Sequence, residues 1–331
     1  MREWLNNMRD SSVKKAMPIL SFPCISLLGV TVKQLISDSD LQAKGMKAVA
    51  DHVDSAASVS LMDLSVEAEA FGAKVRFFDH EIPTVIGTLV TDAEEAEALT
   101  IPTVGAARTG LYVEAIRKAC TMIQDRPVFA GMIGPFSLAG RLMGVSDIMI
   151  QCYEEPETVH TVLRKCTQFL IEYAKAYKQA GAYGVMMAEP LTGLLSPKLA
   201  EEFSEPYVRD IVQATQTDDF LVMYHNCGNG TIQQIDSILR TGAAAYHFGN
   251  SISMQEMLKH IPEDIVAMGN VDPAGQFCHG TTESIRKETL RIMGECCSYS
   301  NFVISSGCDI PPASPWENID AFFRAVSEYY Q

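Results

Sequence analysis

Length, composition and charge narrow the function of this chain before any motif is considered. Its 331 residues are 47% hydrophobic and carry a formal net charge of −15, so a large core can form while the acidic balance disfavours nucleic acid or an anionic membrane surface as a partner. Charges run through the start of the chain and no uncharged apolar stretch of about twenty residues occurs, which predicts a cytoplasmic protein that is neither exported nor membrane-spanning.

Eight short apolar runs alternate along the chain with segments of helical periodicity. In chain order they are residues 16–26, 58–65, 127–136, 183–190, 219–227, 243–250, 265–273 and 302–310. Near-continuous apolar strands that alternate with helices indicate a parallel sheet covered by helices. Eight such repeats favour an α/β fold of the (β/α)8 TIM barrel type, as one domain over residues 1–331. A doubly wound sheet is the alternative.

The segments outside these runs predict helices and one insertion. The residues before the first run predict an N-terminal helical extension, and residues 77–126 form a long insert between the second and third runs, with its own strand pair and helix. Residues 155–181 predict a helix that stops at a glycine, and residues 281–297 predict a helix that opens on capping residues.

Polar or reactive side chains stand at the C-terminal ends of the runs, where barrel enzymes collect catalytic groups. They are Asp63, Glu189, His225 with Cys227, His247 with Asn250, Asn270 with Asp272, and Cys308 with Asp309. For His247 or Asn270 taken alone, a structural role is the simpler interpretation. Six strand ends together favour a functional site.

His225, Cys227 and Cys308 form the most informative set. Side chains alternate along a strand, so His225 and Cys227 point the same way. Two thiols and an imidazole are ligands that zinc selects, and three protein ligands leave its fourth position open. The competing interpretation is that cysteines among the nine in this chain are small buried hydrophobes. Because the fifth and eighth strands of a barrel are not neighbours, loops would have to bring Cys308 to the other two.

Several segments resemble a known family. They are residues 62–75 (MDLSVEAEAFGAKV), 133–144 (IGPFSLAGRLMG), 194–207 (LLSPKLAEEFSEPY), 269–273 (GNVDP) and the His-x-Cys…Cys signature. Over nearly all of residues 15–330 the chain is similar to the uroporphyrinogen decarboxylase superfamily, and within it to the zinc-dependent methylcobalamin:coenzyme M methyltransferases. The resemblance implies a (β/α)8 barrel whose zinc ligands are His225, Cys227 and Cys308.

The same resemblance assigns two carboxylates. Glu189 resembles an acidic residue near the metal, which could occupy the fourth position of the zinc until a thiol replaces it. Asp63 resembles the pocket aspartate of the superfamily. The decarboxylases also use an arginine-containing segment after the first strand, and residues 17–73 contain no arginine. Decarboxylation is therefore not the preferred activity.

The predicted reaction is methyl transfer to a thiol. A thiol bound to Zn²⁺ loses its proton and becomes a nucleophile at neutral pH, able to take a methyl group from the cobalt of a corrinoid. Neither a corrinoid-binding Asp-x-His-x-x-Gly motif nor a glycine-rich S-adenosylmethionine loop is found, so the methylcorrinoid would arrive on a separate corrinoid-binding protein.

The identity of the thiol stays open at this point. Coenzyme M carries a sulfonate, which calls for a basic group such as Arg141, whereas homocysteine would need groups for an amino acid head. Asn270 and Asp272 are further candidates for cofactor contacts. A tetrapyrrole decarboxylase and a non-catalytic protein stapled by zinc remain the alternatives, and the oligomeric state is undetermined.

Overall fold

The fold is known from a computed structural model that describes residues 1–331. Its nine strands are β1 (Ser58–Val59), β2 (Lys74–Arg76), β3 (Thr84–Ile86), β4 (Val128–Ile133), β5 (Gly184–Ala188), β6 (Leu221–Asn226), β7 (Ala245–Phe248), β8 (Val266–Val271) and β9 (Phe302–Ser306). Seven of them form one parallel sheet in the order β1-β4-β5-β6-β7-β8-β9. This sequential order is that of a barrel and excludes the doubly wound alternative, in which the strand order reverses.

The first apolar run differs from its prediction, because it forms no strand of the ladder. It still lies between the two ends of the sheet: the amide of Met17 donates to the carbonyl of Ile304 in β9, and the amide of Ala56 donates to the carbonyl of Ala16. Proline has no N–H to donate, so Pro18 cannot continue a ladder toward β1. The barrel is thus closed by seven strands and one extended segment.

Sixteen α-helices surround the sheet. They are α1 (Arg2–Asp10), α2 (Cys24–Leu28), α3 (Val32–Ile36), α4 (Ser39–His52), α5 (Val66–Ala70), α6 (Ala93–Ala98), α7 (Thr109–Met122), α8 (Pro135–Met143), α9 (Val145–Glu154), α10 (Pro156–Gln179), α11 (Pro197–Phe203), α12 (Glu205–Thr215), α13 (Ile235–Arg240), α14 (Met254–Leu258), α15 (Thr282–Cys296) and α16 (Trp316–Tyr329). A 3-10 helix at Pro190–Leu194 and a π-helix at Pro273–Cys278 complete the secondary structure. None of the helices combines the length and apolar character that crossing a membrane requires.

The two helices predicted from the sequence, α10 and α15, are present, and their first residues explain where each begins. Helix α10 starts with Pro156, whose missing N–H costs nothing at a helix start, and buries residues at intervals of three and four along one face. At α15 the Thr281 hydroxyl accepts from the Ser284 amide, while the Ser284 side chain accepts from the Thr281 amide. This reciprocal capping satisfies two amides that the helix cannot.

The predicted insert is present with small differences. Strands β2 and β3 pair antiparallel, with Val75 opposite Val85, and this pair begins at Lys74 rather than after residue 77. The insert continues through two helices, α6 and α7, where one was expected. The β2–β3 hairpin matters for function, because its loop and second strand reach the candidate site.

The core has two parts, one inside the curled sheet and one between the sheet and the helices. The inner part consists mainly of residues from the strands, among them Phe129, Met186, Met223 and Met268. The predicted N-terminal extension, α1, adds Leu5 and Met8 to this inner part. Burying each of these side chains contributes about 2 kcal/mol, so α1 is an integral part of the barrel.

Candidate metal centre and its pocket

His225, Cys227 and Cys308 meet at the C-terminal end of the barrel. His225 lies in β6, Cys227 directly follows that strand, and Cys308 lies two residues beyond β9. Although β7 and β8 lie between these strands, the three ligand atoms all lie within 4.8 Å of one another. The structure therefore brings together the three residues that the sequence predicts as metal ligands.

Gly249 allows the loop after β6 to come over the neighbouring strand. A Cβ atom at this position would lie 2.5 Å from Cα of Cys227, far closer than van der Waals contact. Only glycine lets the two backbones approach this closely. The approach places Cys227 toward Cys308 on the far side of β7 and β8.

The donor set fits zinc in both chemistry and spacing. Tetrahedral zinc, with Zn–S and Zn–N distances of about 2.3 and 2.0 Å, separates a sulfur and a nitrogen ligand by roughly 3.5 Å. Sγ of Cys308 lies 3.4 Å from Nε2 of His225. Two thiols and one imidazole also leave a tetrahedral ion one position for a non-protein ligand.

The two thiols of the centre differ in how readily they ionise. A hydrogen bond from Cys308, assisted by His225 and opposed by burial, lowers the pKa of Cys227 to about 4. The pKa of Cys308 is raised well above its ordinary value by the same hydrogen bond, by burial and by the charge of Cys227. Cys227 is therefore the sulfur of the pair that ionises more readily.

This difference between the two thiols predicts how many protons zinc displaces. At about pH 8 we expect the release of about one proton per zinc ion, from Cys308, because Cys227 is already ionised. Two thiols of ordinary pKa would release about two protons. Titration calorimetry in two buffers of different ionisation enthalpy measures this number. A value near two would show that Cys227 is not ionised before the metal binds.

A cavity of about 270 Å³ adjoins the three ligand residues. Most of its wall is apolar, formed by Ile19, Met62, Leu64, Ile82, Pro83, Val85, Ala188 and Pro190. Three of these residues belong to the β2–β3 hairpin of the insert, which therefore covers the centre. An apolar wall excludes water and strengthens electrostatic interactions inside the cavity.

Arg141 is the one basic residue in the wall of this cavity. It lies in the last turn of α8 and makes no ion pair or side-chain hydrogen bond, unlike Arg108, which is fully engaged. Burial lowers the pKa of Arg141, yet a guanidinium stays charged in proteins. Its free donors make the cavity suitable for a small ligand with an anionic end.

Asp309 also lines the cavity, and its carboxyl group is unusual. Both carboxylate oxygens are buried without a hydrogen-bond partner. Burial raises the pKa of Asp309 well above its ordinary value, because an unpaired charge is costly away from water. Burial therefore favours the protonated form of this carboxyl group. Its position directly after Cys308 was the only signal in the sequence.

His247 lies against His225 but is not one of the three residues that present ligand atoms. It lies opposite His225 in the β6–β7 register, and the two Nδ1 atoms are 2.8 Å apart. Burial, followed by the proximity of His225, lowers the pKa of His247 well below its ordinary value. A second imidazole, which is neutral, thus lies beside the centre.

Glu189 is placed differently from its prediction as a residue that fills the fourth metal position. Its carboxylate accepts hydrogen bonds from the amides of Phe136 and Ser137 and from the Ser137 hydroxyl, at 2.9, 3.0 and 2.7 Å. These donors form the N-terminus of α8, which attracts negative charge. Glu189 is absent from the cavity wall and from the group of ligand atoms. Its visible role is to join β5 to α8.

Glu189→Gln is therefore expected to affect stability rather than metal content. The amide that replaces one oxygen is itself a donor and would leave a buried donor of α8 unpaired, which costs about 1–3 kcal/mol. Urea unfolding measures this loss, and elemental analysis should find zinc at the wild-type level. Loss of zinc as complete as that in Cys227→Ala would instead make Glu189 a metal ligand.

Asp63 is also turned away from the cavity. Its carboxylate pairs with Arg108, which the insert contributes, and accepts hydrogen bonds from Tyr112 and Ser65 at 2.8 and 2.6 Å. The side chain of Asp63 has no exposed surface, so its position does not support the predicted contact with substrate. Arg108 of the insert is itself neutralised by two carboxylates, those of Asp63 and Glu69.

Asn270 and Asp272, predicted as cofactor contacts, line a second cavity rather than the one beside the metal centre. The Asn270 amide donates to the carbonyls of Gly249 and Ile252, both at 2.9 Å. Asp272 accepts from the amides of Ala274 and Gly275 and caps the π-helix. Both side chains organise loops at the C-terminal end of the sheet, and through Gly249 Asn270 supports the backbone beside Cys227.

Residues 13–329 match the family model described as uroporphyrinogen decarboxylase (URO-D). The chain belongs to the uroporphyrinogen decarboxylase family. Its fold is also that of a solved structure: a methyltransferase from Methanosarcina mazei superposes with a TM-score of 0.88 at 21% identity, over 100% of this chain and 99% of that one.

Within the uroporphyrinogen decarboxylase family, curated relatives of two activities are about equally similar to this chain. The methylcobamide:CoM methyltransferase MtbA of Methanosarcina acetivorans is 27% identical over 271 residues, which cover 81% of this chain and 78% of that protein. The uroporphyrinogen decarboxylase of Coxiella burnetii is 27% identical over 287 residues, covering 82% and 77%. Overall identity does not separate the two activities, so the residues of the site must.

Proposed function

We propose that this protein is a zinc-dependent corrinoid:thiol methyltransferase, which transfers a methyl group from a methylcorrinoid protein to a thiol such as coenzyme M. The observation that carries the proposal is the centre itself. His225, Cys227 and Cys308 present three ligand atoms within 4.8 Å beside an apolar cavity whose one cation, Arg141, is unpaired.

The three ligand residues would hold the zinc ion. When bound, zinc would supply Lewis acidity that lowers the pKa of an entering thiol and so provides a thiolate at neutral pH. The chain contributes two sulfur ligands, whose negative charge keeps the metal from quenching a further thiolate completely. Cys227 is ionised before the metal arrives, so the site is prepared for a cation.

Arg141 would bind the other end of the acceptor. A sulfonate or carboxylate accepts several charge-assisted hydrogen bonds from a guanidinium, and no protein group competes for those donors. The eight apolar residues of the wall would exclude water from the reacting sulfur. The methyl donor would reach the mouth of the barrel on its own protein, since this chain shows no corrinoid motif.

The same residues argue against the runner-up, decarboxylation of a tetrapyrrole. A substrate with many carboxylates needs several cations, and the cavity wall offers Arg141 alone. Arg108 is neutralised by two protein carboxylates, and Asp63 is tied to it. The other alternative is a non-catalytic protein in which zinc has a purely structural role. Such a zinc ion would need neither a cavity nor an unpaired cation beside it. We therefore prefer methyl transfer, by a single catalytic unit over residues 1–331 in the cytoplasm.

The test uses purified protein with zinc, methylcobalamin and coenzyme M. Loss of the methylcobalamin absorbance and appearance of methylated coenzyme M are expected, and both should stop when a chelator removes zinc. The runs would be repeated with homocysteine and 2-mercaptoethanol. Zinc-loaded protein that methylates none of these thiols but decarboxylates a porphyrinogen would establish the runner-up instead.

A further inference from the structure

A chain of buried hydrogen bonds runs from the metal centre to the backbone of the first apolar run. Nδ1 of His225 lies 2.8 Å from Nδ1 of His247, Nε2 of His247 lies 2.8 Å from the Ser305 hydroxyl, and that hydroxyl donates to the carbonyl of Met17 at 2.8 Å. All four residues are buried. Residues of β6, β7 and β9 and of the first apolar run thus share one polar network.

The direction of every hydrogen bond in this chain follows from its last member. A backbone carbonyl can only accept, so Ser305 uses its single proton on Met17. Ser305 must then accept from Nε2–H of His247. A neutral imidazole carries one proton, which leaves Nδ1 of His247 as an acceptor. That atom must receive the proton of Nδ1 of His225.

The consequence appears at the other ring nitrogen of His225. With its proton on Nδ1, His225 has a free lone pair on Nε2, the atom that lies 3.4 Å from Sγ of Cys308. A metal ion requires this tautomer. The opposite tautomer would place a proton on Nε2 and two facing lone pairs between the Nδ1 atoms. The network therefore disfavours the form of His225 that cannot bind a metal.

We propose that His247 and Ser305 are positioning residues that hold His225 in its metal-binding tautomer and orientation. The proposal rests on the zinc site of the proposed function but not on methyl transfer. Histidine ligands are generally oriented by a hydrogen bond to the second ring nitrogen, and the loss of such a partner weakens metal affinity about 10- to 100-fold. Here the nearer partner is a second imidazole, whose own tautomer is set by Ser305. The carbonyl of His247 lies farther from Nδ1 of His225, at 3.3 Å.

Zinc affinity tests this role, measured by competition with a chromophoric chelator on folded protein. We expect Ser305→Ala and His247→Leu to weaken zinc binding by about 10- to 100-fold. His247→Asn can keep an acceptor near the position of Nδ1, and it should stay within about threefold of wild type. Wild-type affinity in both Ser305→Ala and His247→Leu would overturn the proposal.

Ser306→Ala is the matched control. Ser306 is a buried neighbour on the same strand, and its hydroxyl accepts from the amide of Ile19 at 3.1 Å, outside the chain to His225. Its replacement should cost comparable stability and leave zinc affinity unchanged. A loss equal to that of Ser305→Ala would mean that affinity follows general stability, and the positioning role would be wrong.

Nitrogen-15 NMR of the histidine rings in metal-free wild-type protein provides a measurement that needs no variant to fold. We expect the proton on Nδ1 of His225 and on Nε2 of His247. A proton on Nε2 of His225 would refute the proposal directly. Wild-type protein that binds no zinc would remove both this role and the proposed function, whereas zinc binding without thiol methylation would remove only the latter.

Discussion

Cys227→Ala and Cys308→Ala are each expected to abolish zinc binding and methyl transfer together. Each removes one of only two sulfur ligands, and a histidine with one cysteine is too small a set to hold the ion. We expect zinc occupancy below about a tenth of wild type and methyl transfer reduced more than about 100-fold. This loss is larger than that expected when only a hydrogen-bond partner of a metal ligand is removed. Elemental analysis and the methylcobalamin assay measure the two quantities.

Cys297→Ala is the control for these two variants. Cys297 is also partly buried and unpaired, but it lies at the end of α15 with its sulfur 4.0 Å from the Tyr330 hydroxyl. Its loss should leave zinc and activity at wild-type levels. Full zinc occupancy in both Cys227→Ala and Cys308→Ala would refute the ligand assignment, and with it the mechanism that depends on an open zinc position.

Arg141→Gln is expected to discriminate between thiols rather than to stop the reaction. A hydrogen bond to a charged group is worth about 1.5–3 kcal/mol, so kcat/KM for coenzyme M should fall about 10- to 150-fold. For 2-mercaptoethanol, which has no anionic end, the change should be smaller than about threefold. Steady-state kinetics with both thiols on the same preparation give the comparison.

Arg141→Lys serves as the matched variant, because it keeps the charge while losing the planar fork of donors. It should retain part of the preference for coenzyme M. Equal losses for both thiols in Arg141→Gln would show that Arg141 supports the cavity wall instead of binding an anion. In that case the cation that recognises the acceptor would have to come from the partner protein.

The pairing of Arg108 bears on which of the two activities found among the curated relatives suits this chain. The charge of Arg108 is already neutralised by ion pairs with Asp63 and Glu69, so Arg108 is not free to bind a substrate with many carboxylates. The cavity wall keeps Arg141 free beside the three side chains that we propose as metal ligands.

The sequence by itself predicted the barrel, the helices α10 and α15, and the three side chains whose ligand atoms lie within 4.8 Å of one another. These depend on local patterns: buried parallel strands must be apolar throughout, and a strand turns alternate side chains the same way, which pairs His225 with Cys227. Cys308 followed from its place after the last strand. Arg141, a candidate for binding the anionic end of the thiol, lies in the cavity wall.

Only the tertiary structure decided where the carboxylates point and what supports the ligands. Asp63 and Glu189 stand at strand ends, but their directions are set by Arg108 from the insert and by the N-terminus of α8. The first run fails to form a strand because Pro18 has no backbone N–H to donate. Whether that missing hydrogen bond matters depends on which neighbouring segment the residue faces. His247 lies beside the centre because its register places it opposite His225. Such contacts join residues far apart in the chain, and no local pattern records them.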